Sequence, residues 1–200
     1  RRCVPMAVKS VKNIQKEIEK LEKQILKDKQ KLAKMRHQAE PLEVEDHVFT
    51  TAGGKKTKLS KLFGAHDELV LIHNMGVRCT YCTMWADGFN GLRAHLANRA
   101  GFVVVSPDSP KVMGEFAKGR GWKFPIYSHQ GTSFGKELGF ESPDGGAWPG
   151  VSTFFKNPDG RIFRVAKAFF GPGDDFCATW HLIDLLPRGT NDWEPKYSYK

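Results

Sequence analysis

No apolar run in these 200 residues approaches the ~18 that a bilayer crossing needs, so no membrane partner is expected. Nor does an apolar signal-peptide core follow Arg1-Arg2-Cys3-Val4-Pro5, which points to a cytoplasmic protein. Cysteine is scarce. Four residues, Cys3, Cys79, Cys82 and Cys177, are too few for a disulfide-stapled scaffold, and a chain this long needs none. Internal repeats and low-complexity tracts are absent. Against these absences, 40% hydrophobic and 12% aromatic residues suffice for the core of one ordinary domain plus an appendage.

The formal charge of +9 is unevenly spread. Residues 1–40 carry 12 Lys and Arg against 5 Asp and Glu, leaving the remainder close to balance. The basic arm has no aromatic residue to stack on bases, and acidic residues alternate with basic ones. A solvated helical face is therefore expected rather than a nucleic-acid site. Residues 8–39 contain no Gly or Pro, and apolar residues recur at Val11, Ile14, Ile18, Leu21, Ile25, Leu32 and Met35, with Asp28 in the missing slot. Spacings of three and four make a heptad seam on one long helix, to be buried on the same chain or on another subunit as a homodimer. Pro41 stops it.

After Glu43 the pattern is that of an α/β domain spanning 41–190, with 191–200 as a polar tail. Val44 to Thr50 reads as one strand, Ala52 to Lys55 as a turn and Thr57 to Leu59 as a return strand. A short helix is expected after Ser60 as N-cap. Strands follow at 69–73, 102–105 and 124–127. Helices are expected at 83–99, at 110–120 behind Ser109 and Pro110, and at 132–138. Val151–Phe155 and Arg161–Phe169 flank Asn157-Pro158-Asp159-Gly160 as a hairpin. A last helix is expected from Asp174 or Asp175 to Leu186.

Cys79-Thr80-Tyr81-Cys82 sits between a strand and a helix. Two thiols at this spacing can close into a disulfide and reopen. The helix N-terminus and the neighbouring cation Arg78 both favour a thiolate at Cys79. Cys82, one turn further in, suits the resolving role.

The order strand, Cys-x-x-Cys helix, strand, helix, hairpin, helix resembles the thioredoxin fold, and the Phe49–Phe63 unit resembles the extra hairpin of its peroxiredoxin-like branch. Closer still, Cys79 to Phe89 (Cys-x-x-Cys-x-x-Trp-Ala-Asp-Gly-Phe), Phe102 to Ser106, Gly121-Trp122 with Phe124-Pro125, and His181 to Pro187 resemble the thioredoxin-like "domain of unknown function 899" family. The resemblance implies a three-layer α/β/α sandwich with a mixed central sheet behind a long N-terminal helix. The dithiol itself, rather than the family, points to a thiol–disulfide oxidoreductase without cofactor beyond its own disulfide. Its partners would be protein or low-molecular-weight thiols and disulfides and a reductase. Arg78, Tyr81, Trp85, Val151 and Ser152 would meet substrate. His73, six residues before Cys79, stands where thioredoxins carry a buried acid, and would pass the proton of Cys82. Ser152 would stand where thioredoxins carry a cis-proline, with a trans peptide bond here.

Two alternatives stay open. A soft-metal site would draw on Cys79, Cys82, Cys177 and His181, the last two an i,i+4 pair on one helix face, with His73 beside them. Zinc sites generally need four ligands and the chain has a single Cys-x-x-Cys, so a metal is not favoured. Peroxide reduction is disfavoured by Gly76 three residues before Cys79 and by the lack of a nearby Pro. Trp85, Trp122, Trp148 and Trp180 are expected as core or groove walls. Gly171 to Asp175 is expected as a turn and cap rather than a phosphate loop.

Overall fold

The computed structural model describes residues 11–199. The chain divides into two compact units, Arg1–Glu40 and Pro41–Lys200. Within the first, α1 (Val11–Gln38) is a 28-residue helix. Its apolar positions Ile14, Ile18, Leu21, Ile25, Leu32 and Met35 are all exposed. Residues 8–10 of the expected helix lie outside the described residues.

The second unit is built on one eight-stranded mixed sheet, in the order β1-β8-β7-β4-β5-β6-β2-β3. At its centre β4 (Glu68–His73) pairs in parallel with β5 (Gly101–Ser106), and β5 with β6 (Ile126–Ser128). On the other side β4 pairs antiparallel with β7 (Gly150–Lys156), which pairs with β8 (Ile162–Phe169) across the Asn157–Gly160 turn. Both β4 and β5 lack charged residues beyond Glu68, as expected for strands covered on both faces.

Alternation along β4 defines the two faces. Leu69 and Leu71 join a core with Leu59 and Leu62 of α2 (Leu59–Leu62), Phe134 of α5 (Phe134–Glu137), and Phe140. Val70 and Ile72 face a second core formed by Cys82, Trp85 and Phe89 of α3 (Thr80–Arg99) and Trp180 of α6 (Ala178–Asp184). Helices thus cover both faces, and the expected three layers are present. Between β5 and β6, α4 (Pro110–Arg120) starts at a Ser109 cap whose hydroxyl accepts from the Val112 N–H. It ends at Gly121 in the left-handed region, φ 68°.

Three expectations are corrected. Residues 44–50 are not one strand. β1 (Leu42–Val44) pairs with β8 at one sheet edge, while β2 (Val48–Thr51) pairs with β3 (Lys56–Lys58) and β6 toward the other. Residues 45–47 carry the chain between them. Ser60 is not the cap of α2; Lys58 occupies that position. Ser60 instead donates its N–H (2.7 Å) and hydroxyl (2.8 Å) to Asp46, in the crossing between β1 and β2. The last helix is shorter than expected, because the Asp174 carboxylate takes the N–H groups of Gly171, Phe176 and Cys177 and folds that stretch into a loop.

Candidate active site

Cys79 is the N-cap of α3. Its backbone is extended, and its Sγ accepts the Cys82 N–H at 3.0 Å. The Thr83 hydroxyl and N–H both return to the Cys79 carbonyl, at 2.9 and 3.0 Å, closing the first turn. Cys79 is half-buried and Cys82 is buried, so only one sulfur of the pair is open to attack.

Hydrogen bonding separates the two thiols. Donation from the Cys82 thiol, with the N–H groups of Cys82 and Tyr81, lowers the Cys79 pKa from its usual 9 to about 7, against the opposing effect of burial. Cys82 moves strongly upward, because its proton is held toward Cys79 and its site is desolvated. A backbone hydrogen bond from Met75 acts in the opposite sense. Arg78 is exposed and is not among the groups that move Cys79. The acidity expected from that cation comes from aligned donors instead.

The loop from β4 into α3 is fixed by residues that sequence reasoning passed over. Asn74 donates its N–H to Val105 O, and its side-chain oxygen accepts the Gly76 N–H at 2.7 Å. Asp108 Oδ2 accepts the Val77 N–H at 2.7 Å and the Ser106 hydroxyl at 2.9 Å. Gly76 has φ 107°, and a Cβ there would lie 2.8 Å from Asp108 Oδ2. Asn74 and Asp108 follow the carboxyl ends of neighbouring parallel strands, where open α/β sheets place their sites. That topological position was the signal available in the sequence.

An aromatic wall adjoins the thiols. Tyr81 stacks on Trp180 (5.9 Å between centroids), Trp85 meets Phe170 (5.4 Å), and the Trp85 N–H donates to Asp174 at 3.3 Å. Val151 packs on the same face. Trp85 is buried, a wall rather than a contact surface. Beside it lies a groove of about 530 Å³ bordered by Met84, Trp85, Phe176, Cys177, Trp193 and Tyr199. The expected surface tail crosses this region. Trp193 packs edge-on against Trp180, Glu194 hydrogen-bonds Tyr81, and the Tyr197 hydroxyl donates to Val77 O at 3.0 Å. Arg120 of α4 holds Tyr197 O.

His73 and Ser152 are not brought to the cysteines. Alternation along β4 turns His73 to the opposite face, where it stacks on Phe140 (3.6 Å) and Phe134 (5.5 Å) and its Nε2 lies 2.9 Å from Ser152 Oγ. Burial holds His73 well below its usual pKa, and the positive charges of His129, Arg164 and Lys167 add to the effect. Ser152 pairs with Leu71 inside β7, one strand residue away from the face of Val151. The expected proton carrier and substrate contact are thus two members of a buried neutral pair. All described peptide bonds are trans, those preceding Pro149 and Ser152 included.

The residues named for a metal site are not gathered into one group either. Cys177 is buried ahead of α6 rather than within it, and His181 is exposed, 3.6 Å from Asp175. Among the described residues no group of three or more His, Cys, Asp or Glu side chains is arranged to hold a metal ion. None of the described helices is long and apolar enough to cross a membrane.

Solved structures share this architecture. Peroxidoxin BcpB from Mycobacterium tuberculosis superposes with a TM-score of 0.51 at 23% identity, over 61% of this chain and 80% of that one. A peroxiredoxin-like protein from Aquifex aeolicus gives 0.50 at 18%, over 64% and 74%. A cysteine-to-serine mutant of PrxQ from Xylella fastidiosa gives 0.50 at 24%, over 62% and 78%. At these identities the likeness establishes the fold. Among curated proteins, none is significantly similar in sequence. With a thioredoxin-type sheet, a thiol pair capping α3 and a family profile that matches residues 7–199, the chain belongs to the DUF899 family, described as bacterial proteins of unknown function.

Proposed function

We propose that the chain is a thiol–disulfide oxidoreductase acting through Cys79 and Cys82. The observation that carries this reading is the asymmetry of the pair. A half-buried Cys79 sulfur at a helix N-cap has its pKa lowered to about 7, backed by a buried Cys82 thiol that donates to it. At neutral pH a large share of Cys79 is thiolate, close to the optimum for attack on a disulfide.

The Cys79 thiolate attacks one sulfur of a substrate disulfide. The substrate S–S bond breaks, a mixed disulfide forms on Cys79, and the departing sulfur leaves as a thiolate. Cys82 then releases its proton toward the leaving sulfur and attacks Cys79 Sγ. The substrate departs as a second thiol, and the protein holds a Cys79–Cys82 disulfide. Two electrons have passed to the substrate, and a reductase or low-molecular-weight thiol returns them. The Met75 N–H eases formation of the Cys82 thiolate. His73 takes no part in this transfer, since it faces the other core.

Titration in thiol–disulfide buffers tests the reading. A reversible two-electron couple between about −120 and −270 mV is expected, lost in Cys79→Ser, with Cys82→Ser trapping a mixed disulfide. Absence of any such couple overturns it. Rapid peroxide consumption with a sulfenic acid on Cys79 and no disulfide exchange would assign the site to peroxide reduction instead.

A further inference from the structure

We propose that residues 14–38 of α1 pair with the same segment of a second copy of this chain as an antiparallel two-helix coiled coil. Four observations lead there.

First, α1 is long and uninterrupted, and its apolar residues follow a strict alternation of three and four. Ile18, Ile25 and Leu32 take the a positions; Ile14, Leu21, Asp28 and Met35 take the d positions.

Second, this row is bare. Ile14, Ile18, Ile25 and Leu32 are between 41% and 45% exposed, and Leu21 and Met35 more so. A row of large apolar side chains of this length favours a partner with a matching row. A second α1 provides one.

Third, the flanking charges select the orientation. The e positions are Gln15, Glu22, Lys29 and Arg36, and the g positions are Glu17, Gln24, Lys31 and Gln38. Acidic flanks occupy the first half of the helix and basic flanks the second. In a parallel pair each g residue meets the e residue of the following heptad. Glu17 would then face the partner's Glu22, and Lys31 the partner's Arg36, both repulsive. In an antiparallel pair g meets g and e meets e. In one register Glu22 then faces the partner's Lys29, Gln15 the partner's Arg36, Gln24 the partner's Lys31, and Glu17 the partner's Gln38. No like-charged pair remains at these positions.

Fourth, one register satisfies the flanks and the seam together. The alignment that joins Glu22 to Lys29 also sets Leu32 against the partner's Leu21 and Ile18 against the partner's Met35. Asp28 lies against the partner's Ile25. A parallel pair would instead put both Asp28 carboxylates in one layer, a like-charge contact without solvent. Asp28 already accepts a hydrogen bond from Gln24 at 3.0 Å within its own helix, which the antiparallel register leaves in place.

Sedimentation equilibrium of the whole chain at physiological ionic strength tests this, with far-UV circular dichroism to confirm that each variant keeps its helix. A species of twice the 22.5 kDa chain mass is expected. Glu22→Lys turns the two symmetry-related Glu22–Lys29 pairs of the dimer into like-charge pairs and should raise the dissociation constant by about tenfold. Adding Lys29→Glu should restore the wild-type constant. A parallel dimer would instead tighten on the first exchange, since its Glu17–Glu22 contact becomes Glu–Lys. That result overturns the orientation. A monomer at every concentration, a higher oligomer, or a dimer indifferent to Ile18→Asp with Ile25→Asp overturns the interface itself.

Discussion

Cys79 and Cys82 are the same chemical group in two surroundings, and the surroundings divide the labour. Because Cys79 has a pKa lowered to about 7, its alkylation by iodoacetamide should rise with pH and level off above that value. The sign of the linkage follows. A thiol whose pKa is lower folded than unfolded stabilises the reduced protein at pH above the unfolded value of about 9, and that contribution is lost as pH falls through about 7. The stability difference between the reduced wild type and Cys79→Ser should therefore widen from pH 7 to pH 9, read by chemical denaturation. His73 supplies the contrasting case. His73→Leu should leave the pH profile of disulfide exchange unmoved, because the ring lies across the sheet from Cys82. A shifted profile would return His73 to the proton path. The buried Ser152 hydroxyl, left without its partner, should cost about 1–3 kcal/mol of stability.

Among the elements, the loop between β4 and α3 carries the most constraint per residue. Asp108 reaches it from the end of β5 and holds both Val77 and Ser106. Asp108→Ala removes the acceptor for both and should destabilise by about 1–3 kcal/mol. It should also change the alkylation rate of Cys79, since the thiol hangs from that loop. Gly76→Ala meets the same carboxylate at 2.8 Å with φ 107°, and its cost should also be about 1–3 kcal/mol, measured as a shift in the denaturation midpoint. Much of this scaffold was legible in the sequence. Apolar runs located the central strands, Ser109 and Pro110 marked the start of α4, and Asn157 to Gly160 marked the hairpin. What was not legible depends on contacts distant in sequence. The break between β1 and β2 follows from pairing at opposite sides of the sheet, and the cap role of Ser60 was displaced by Asp46. At the site, the six-residue spacing from His73 to Cys79 is plain in the sequence, but spacing carries no information about which face a strand residue takes until its neighbours Leu71 and Ile72 are assigned.

At the scale of the molecule, the sheet separates two interiors of different character. One holds the thiols and their aromatic wall; the other holds a neutral histidine–serine pair beside His129, Arg164 and Lys167. The tail belongs to the first. It grips Cys79 from both sides, through Tyr197 on Val77, two residues before, and Glu194 on Tyr81, two residues after. Tyr197→Phe combined with Glu194→Gln should loosen this grip and raise the rate of Cys79 alkylation severalfold, while circular dichroism stays unchanged. An unchanged rate would mean that the tail lies beside the sulfur without covering it.

That grip has an optical consequence. Partial desolvation foremost raises the pKa of both Tyr81 and Tyr197, Glu194 raises that of Tyr81 next, and the negative charge of Cys79 raises each further. Closing the disulfide removes that charge, so both phenols should ionise at lower pH in the oxidised protein. Phenolate absorbance, followed on a protein held oxidised and then reduced, would thus register the state of the sulfur pair without touching it, and the two tyrosines would serve as its built-in indicator dyes.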